Sequence, residues 1–395
     1  QVKRNINMAY TTIDDPSAYL QVKTFTGDGN TSRSLTFDGN SDLKPTIMWS
    51  NKRSGGGNYG SIMAMSHPGL TDHDTTGYKG LDGAWIRVGG KYWTNDSNRH
   101  VSSFNTDGFT TDTYTQNYYM NESGDEFVSW AFGGDNKITA ANDTNGDITS
   151  SVLANTKMGM SFVKWTGNGN QEQDIGHGLG KRPNHIMMFP IEPGENNGNT
   201  QRIYWHEANA WNHVIKNELN ASQGAESDST MGRVGAFDNG SQGTSTTFNV
   251  FSGGNPASYR NVNLNGAPYM AVCWTSIQGF SKFGSYVGNG DANGPFIHCG
   301  FRPKIVQIRR LNGAAYRNYD TERDPINPAS KTSNWVDNGG AELSDGNTPI
   351  DILSNGFKIR HTHTTANTSG NKYLFSAWAE NPFVTSKGAP TTARV

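Results

Sequence analysis

The sequence predicts an all-β protein, and three observations support that fold class. Glycine accounts for 47 of the 395 residues, and Asn, Ser and Thr are abundant, a composition typical of strands and turns. Long stretches of Ala, Leu, Glu, Lys and Arg, the residues that favour helices, are missing. The third observation is an internal repeat, which indicates three copies of one domain.

Composition and charge exclude several classes of protein. The formal net charge is −2 and no Lys/Arg cluster occurs, which argues against binding of nucleic acid. No stretch approaches about 18 consecutive apolar residues, and no signal-peptide pattern opens the chain, so we expect a soluble protein without membrane insertion. Two cysteines, Cys273 and Cys299, do not make a disulfide framework and are typical of a reducing compartment.

An opening unit occurs three times, with an aromatic residue two positions before a Gly-x-Gly turn and a later proline followed by an apolar run. We interpret the glycines as hairpin turns, because a phosphate loop needs a helix directly after them. The proline should begin a strand, where its missing N–H costs least. The three copies are Val22–Gly29 with Pro45–Trp49, Phe162–Gly169 with Pro183–Phe189, and Lys282–Gly290 with Pro303–Ile308.

A closing unit also recurs, at Gly124–Trp130, Gly266–Trp274 and Gly370–Trp378. In each copy an aromatic residue follows the glycine by three positions and lies an odd number of positions before the tryptophan. Because side chains alternate along a strand, the two aromatic residues should point to opposite faces of the sheet. Both faces of the closing strand should therefore be covered, as in a sandwich.

These units divide the chain into three tandem antiparallel β-sandwich-like repeat domains with long polar loops. We place an N-terminal arm at 1–18, the repeats at 19–135, 158–278 and 279–395, and a linker at 136–157. The linker assignment follows from the Gly, Asn, Asp and Thr that fill Gly133–Lys157.

Two kinds of segment stand out beside the repeats: the opening Met8–Ser17, and a GNG…GLG…P pattern of which Gly176–Gly180 is the closest copy. The third repeat adds Arg323–Asn327, Ile352–Arg360, Asn367–Gly370 and Trp378–Phe383. Together these segments resemble a repeat family, classed as a domain of unknown function, of structural and tail-fibre-like proteins of marine tailed bacteriophages. The resemblance implies a virion component, assembled in the host cytoplasm, and brings no catalytic residues.

One aromatic segment is a candidate ligand surface. Tyr204, Trp205, His206, Trp211 and His213 could stack on sugar rings while neighbouring polar groups bind hydroxyls. The alternative is a packing role inside the sandwich, and the sequence leaves both open.

Other motifs are weak candidates for metal binding or for nucleophilic catalysis. His361 and His363 share one face of a strand at metal-ligand spacing, and the resemblance adds that some trimeric phage fibres bind iron through His-x-His. The alternative is a polar exposed strand. Asp72–Asp74 could hold a divalent cation or form part of an acid/base set. The calcium-loop-like Asp143–Asp147 is interpreted as a solvated turn, and both cysteines as core residues.

The predicted function is therefore non-enzymatic, with no cofactor: a tail fibre or spike component that presents loops to the host surface. Expected partners are other virion proteins and host cell-surface carbohydrate, and homo-oligomers, with a trimer favoured, are expected. The alternatives are a capsid decoration protein that stabilises the shell and a polysaccharide depolymerase.

Overall fold

The fold is given by a computed structural model, which describes residues 10–30, 32–54, 61–65, 85–88, 101–111, 120–134, 138–170, 172–190, 202–208, 213–217, 225–227, 243–250, 263–311, 316–332, 342–343 and 346–391. These residues form twenty-five β-strands and one 3₁₀ turn, which confirms the all-β prediction. No helix in this part of the chain is long and apolar enough to cross a bilayer. We call 19–135, 138–278 and 279–395 repeats 1, 2 and 3, because the large sheet of the second repeat begins at residue 138.

An arm, residues 10–18, precedes the first strand and packs on repeat 3. It contains the 3₁₀ turn Pro16–Ala18, where the Asp15 carboxylate accepts a hydrogen bond from the Ser17 amide (2.9 Å). The Tyr10 hydroxyl donates to the Gly300 carbonyl (2.6 Å) and the Ser386 amide donates to Asp14 (2.6 Å). The arm therefore ties the start of repeat 1 to the end of repeat 3.

Repeat 1 forms a large and a small antiparallel sheet. The large sheet has the order β1-β8-β3-β4-β5 and the small sheet β2-β7-β6. The strands are β1 (Leu20–Thr26), β2 (Arg33–Leu35), β3 (Pro45–Lys52), β4 (Ser61–Met65), β5 (Trp85–Val88), β6 (Val101–Phe104), β7 (Phe109–Thr111) and β8 (Glu126–Gly133).

Repeat 2 has the same plan with a longer large sheet. Its order is β16-β15-β14-β13-β18-β11-β10-β9, and the small sheet pairs β12 with β17. The strands are β9 (Ile138–Asp143), β10 (Ser150–Asn155), β11 (Met160–Thr166), β12 (Gln173–Gly176), β13 (His185–Pro190), β14 (Arg202–His206), β15 (His213–Asn217), β16 (Ala225–Ser227), β17 (Thr247–Val250) and β18 (Pro268–Trp274).

Repeat 3 forms the sheets β19-β25-β21-β22 and β20-β24-β23. The strands are β19 (Ser281–Val287), β20 (Phe296–His298), β21 (Phe301–Arg310), β22 (Tyr316–Asp320), β23 (Ile350–Leu353), β24 (Gly356–Ile359) and β25 (Lys372–Pro382).

Two details of the predicted elements need correction. Residues 138–143 and 150–155, assigned to a linker, are the strands β9 and β10 of the repeat 2 sheet. The buried residues Val152, Leu153 and Ala154 of β10 outweigh the polar composition around them. Of the three prolines, Pro45 begins a strand, Pro183 precedes one, and Pro303 lies inside β21, where the register shifts to accommodate it.

The closing strand is central in every large sheet, and both of its faces are covered. Phe127 packs against the small sheet of repeat 1, whereas Trp130 packs on the opposite face. Tyr269 and Trp274 divide in the same way in repeat 2. The alternation predicted for these aromatic residues is confirmed, and the outer face of each closing strand contributes to a sandwich core.

The inner faces of the three large sheets pack on one another in a common core. The register places Phe132, Trp274 and Trp378 at equivalent positions of the three closing strands. Trp378 contacts Phe132 (ring centroids 5.3 Å apart) and Trp274 (6.5 Å), while Trp274 also meets Trp49 of repeat 1 (6.3 Å). Each repeat therefore touches the other two.

Candidate functional site

A buried asparagine joins the opening turn to the closing turn of every repeat. In repeat 2, Asn263 Nδ2 donates to Asn168 Oδ1 and to the Asn170 carbonyl (both 2.9 Å), while its Oδ1 accepts from the Asn168 amide (3.1 Å). The equivalent residues Asn121 and Asn367 make the same three contacts. We call the three asparagines with their partner turns the turn clamps.

The clamp geometry explains why the Gly-x-Gly units recur. A side chain at Gly167 would meet the Leu264 carbonyl oxygen at 2.2 Å, and Gly169 has a φ of +76°. Such a φ favours glycine, so both positions need it. The turn connects β11 in the large sheet to β12 in the small sheet, so it is a crossover between sheets and the predicted hairpin is corrected.

The residues beyond each clamp are exposed. They are 28–30 in repeat 1, 169–170 in repeat 2 and 289–293 in repeat 3. Because fully buried asparagines hold their backbones, these three polar turns are positioned by the core of their repeats. The chain thus carries three similar exposed turns on one scaffold.

The predicted aromatic ligand surface is divided between two cores. Trp205 is 1% exposed and packs in the repeat 2 sandwich, and His206 is 2% exposed on the opposite face of β14. Neither ring can meet a sugar in this conformation, so the packing alternative holds for these two residues. The backbones of Tyr204 and His213 lie in β14 and β15, and Trp211 lies outside the described residues.

The His361–His363 pair follows β24 and lies outside any strand, and His361 is buried, so the predicted strand and its exposed alternative are both corrected. The His361 Nδ1 accepts from the His363 amide (3.0 Å), and the His363 Nδ1 accepts from the Thr365 amide (3.3 Å), so one nitrogen of each ring serves a turn. The ring centroids are 6.4 Å apart. Metal binding there stays a prediction; in the described ranges no three His, Cys, Asp or Glu side chains group as metal ligands.

The remaining candidates are the two aspartate motifs and the two cysteines. Asp143 Oδ1 accepts from the Asn145 amide (2.9 Å) and Asp147 accepts from the Asp174 amide (2.9 Å) within polar turns. Asp72–Asp74 lies outside the described residues. Both cysteines are buried, and burial raises the pKa of Cys299 to about 12 and that of Cys273 further.

A buried ionic cluster joins repeat 1 to repeat 3. Trp130 Nε1 donates to Asp320 Oδ2 (3.0 Å), and Arg323 Nε donates to the same oxygen (2.7 Å) while its guanidinium lies over the Trp130 ring. Glu342 accepts from Arg323 (3.2 Å) and from Arg53 of repeat 1 (2.9 Å). We call Arg53, Trp130, Asp320, Arg323 and Glu342 the ionic interface.

Two buried histidines join repeat 2 to repeat 3. The His206 Nε2 lies 3.2 Å from the Phe375 carbonyl oxygen, and its Nδ1 accepts from the Ala208 amide (3.1 Å). This pattern identifies the neutral ring with its proton on Nε2. His185 stacks on Phe283 of repeat 3 (5.9 Å) and contacts the His206 ring (5.6 Å). Burial lowers the pKa of His206 to about 4 and that of His185 well below its ordinary value. We call this pair the histidine interface.

Comparison with known proteins identifies the family. Residues 15–382 match the family described as "Domain of unknown function (DUF7483)". The chain belongs to that family. No curated protein matches it.

Within this DUF7483 chain, sequence reasoning missed the clamp asparagines and the two interfaces. A signal for the clamp is present, because an asparagine precedes the closing glycine by three positions in all three copies. The interfaces had no such signal, since they depend on which strands become neighbours. One aromatic position was also misaligned: the register equivalent of Trp274 and Trp378 is Phe132, two residues after Trp130.

Proposed function

We propose that this DUF7483 protein is a non-enzymatic structural component of a tailed-phage virion, part of a tail fibre or spike that presents loops to the host surface. The observation that carries the proposal is the set of three turn clamps, which display similar polar turns from one common core. The resemblance of the repeat sequences to phage structural proteins supports the assignment to a virion.

Repetition suits reversible adsorption. Several weak contacts on one scaffold give a combined affinity that exceeds each contact alone. Clamping the backbone of each turn also reduces the conformational entropy lost on binding. Exposed Asn and Asp side chains at the turns supply donors and acceptors for carbohydrate hydroxyls.

The common core also bears on assembly. The inner faces of the large sheets, which carry the aromatic residues Trp49, Trp274 and Trp378, are already buried between repeats. A homo-oligomer, for which a trimer is favoured, and attachment to other virion proteins would therefore use the outer surfaces of the repeats.

Immunogold labelling of intact virions tests the location. Label on tail fibres or spikes is the expected result. Label on the head would replace the proposal with a capsid decoration protein, and absence from purified virions would overturn both.

A competition assay tests host binding. Asn30, Asn170 and Asp291 each contribute a backbone carbonyl to a clamp, so alanine at these positions keeps that contact. The triple variant Asn30→Ala, Asn170→Ala, Asp291→Ala should block phage adsorption less well than wild type, and each single variant should lose less. Equal blocking by wild type and triple variant would contradict receptor contact through these turns.

A chemical assay addresses the enzymatic alternative. Purified protein incubated with host surface polysaccharide should release no reducing ends. Release that rises with time and protein concentration would identify a depolymerase and overturn the non-enzymatic proposal.

A further inference from the structure

Register equivalence shows that the fold does not require the two histidines of the histidine interface. His185 pairs with both His206 and Trp274, so the three residues share the inner face of the sheet. The equivalent of His185 is Ile47 in repeat 1 and Ile305 in repeat 3, both fully buried. An apolar residue therefore fills this position twice, and the imidazole in repeat 2 needs another explanation.

The second histidine occupies an equally variable position. The register equivalents of His206 are Met65 in repeat 1 and Asp320 in repeat 3. Met65 is buried, and Asp320 belongs to the ionic interface. Only repeat 2 places titratable rings at both positions of this strand pair.

The charges around the histidine interface oppose protonation. His185 faces the titratable ring of His206 and the cation Arg309 on β21. His206 faces the cation Lys372 on β25. From β18 and β19, His185 meets the rings of Trp274 and Phe283.

Glu207, which follows His206, does not offset these cations. Its carboxylate accepts from Asn184 Nδ2 (2.5 Å) and its charged partner is Arg182. A proton added to either ring would thus enter a buried site that faces cations.

We propose that the histidine interface is an acid-sensitive latch: protonation of His185 and His206 separates repeat 2 from repeat 3 and exposes the aromatic faces of Trp274 and Phe283. The proposal does not depend on the proposed virion function. Its basis is the contact geometry, the register equivalence and the surrounding cations.

Linkage gives the direction and size of the effect. The ordinary pKa of a solvated histidine is about 6.5, so the open state binds protons that the closed state rejects. For His206, with a pKa of about 4 in the closed state, the opening equilibrium should rise roughly 20-fold between pH 7 and pH 5. His185 should act in the same direction, because its pKa in the closed state is also lowered by burial.

Hydroxyl-radical footprinting of the full chain between pH 7 and pH 4.5 measures the opening. Oxidation of Phe283, which is 3% exposed, should rise as the pH falls. Trp165, which lies in the sandwich core of repeat 2, should stay protected and serves as the internal control.

The equivalent residues in another repeat suggest the substitutions that test the two histidines. The double variant His185→Ile, His206→Met copies the residues that repeat 1 uses, and it should lose the pH response of Phe283. Each single variant should keep part of that response, because one of the two histidines remains.

His177→Asn is the matched control. His177 is fully buried with a pKa of about 4, and its Nδ1 accepts from the Leu179 amide, but it lies away from the repeat 2–repeat 3 contact. This variant should keep the Phe283 response.

Three results would overturn the latch. They are unchanged Phe283 oxidation from pH 7 to pH 4.5 in the wild type, an unaltered response in the double variant, or loss of the response in His177→Asn. If the double variant fails to fold, the pH dependence of Phe283 oxidation in the wild type and in the single variants tests the proposal instead.

Discussion

The two interfaces that repeat 3 makes differ in chemistry at register-equivalent positions. Asp320 and His206 occupy the same place in their sheets, yet Asp320 is an ion-paired carboxylate and His206 is a neutral ring. Each makes a hydrogen bond across a repeat boundary. Asp320 accepts from Trp130, and His206 donates to the Phe375 carbonyl oxygen. The comparison teaches that one repeated scaffold can carry contacts with different responses to pH and salt.

The largest expected effect comes from breaking the ionic interface. Arg323→Met removes the partner of the buried Asp320 carboxylate, and an uncompensated buried charge of this kind costs about 3 to 5 kcal/mol of unfolding free energy. Urea denaturation measures it. The control Arg360→Met, at a surface pair in which the arginine side chain is 44% exposed, should cost less than about 1 kcal/mol. Similar losses in the two variants would contradict the assignment.

Acidification should act on the histidine interface next in size. The folded-state pKa of His206 is about 4, below the unfolded value of about 6.5, so the unfolded state binds more protons between these pH values. The free energy of unfolding should therefore fall as pH drops from about 6.5 to 4, by roughly 3 kcal/mol for such a buried histidine. Denaturation curves at stepped pH measure the slope, and His206→Met should reduce it. A stability that rises on acidification in this window would contradict the buried neutral ring.

The turn clamps provide a reference that belongs to neither interface. Asn263→Ala removes three hydrogen bonds made by a fully buried side chain and should cost about 2 to 3 kcal/mol. The exposed neighbour Asn265 is the matched control, and Asn265→Ala should stay within about 0.5 kcal/mol of wild type. Equal effects would show that the asparagine contacts do not hold the turns.

The smallest effect should come from the outer edge of the ionic interface. Arg53→Met leaves Glu342 paired with Arg323, so we expect a loss of about 1 kcal/mol. Because the Arg53 side chain is partly exposed, the difference from wild type should shrink in 1 M salt. A difference that does not change with salt would indicate a packing role for the Arg53 side chain.

Much of the fold follows from local pattern. The Gly-x-Gly and closing units identify three repeats, and their alternation assigns Phe127 and Trp130 to opposite faces because period two is a property of the strand itself. Composition misled at β9 and β10, because a segment of polar composition there pairs into the large sheet of repeat 2 and β10 buries Val152 and Ala154.

The interfaces could not be predicted, since the equivalence of Met65, His206 and Asp320 depends on the pairing of strands distant in sequence. The sequence makes His206 a candidate for either a ligand or a packing role, because its neighbours in sequence are aromatic. Its actual partners, Phe283 and Phe375, belong to another repeat.

The contact of repeat 1 with repeat 3 has a consequence for how such a protein can evolve. A linear array of repeats, in which each unit touches only its neighbours, can gain or lose a unit without disturbing the others. Here the first and last units meet through Trp130 and Asp320 and through the arm at Asp14 and Ser386, so the three form a closed ring. A fourth inserted copy would have to break the contacts between the first and last units, a cost that a linear array does not have.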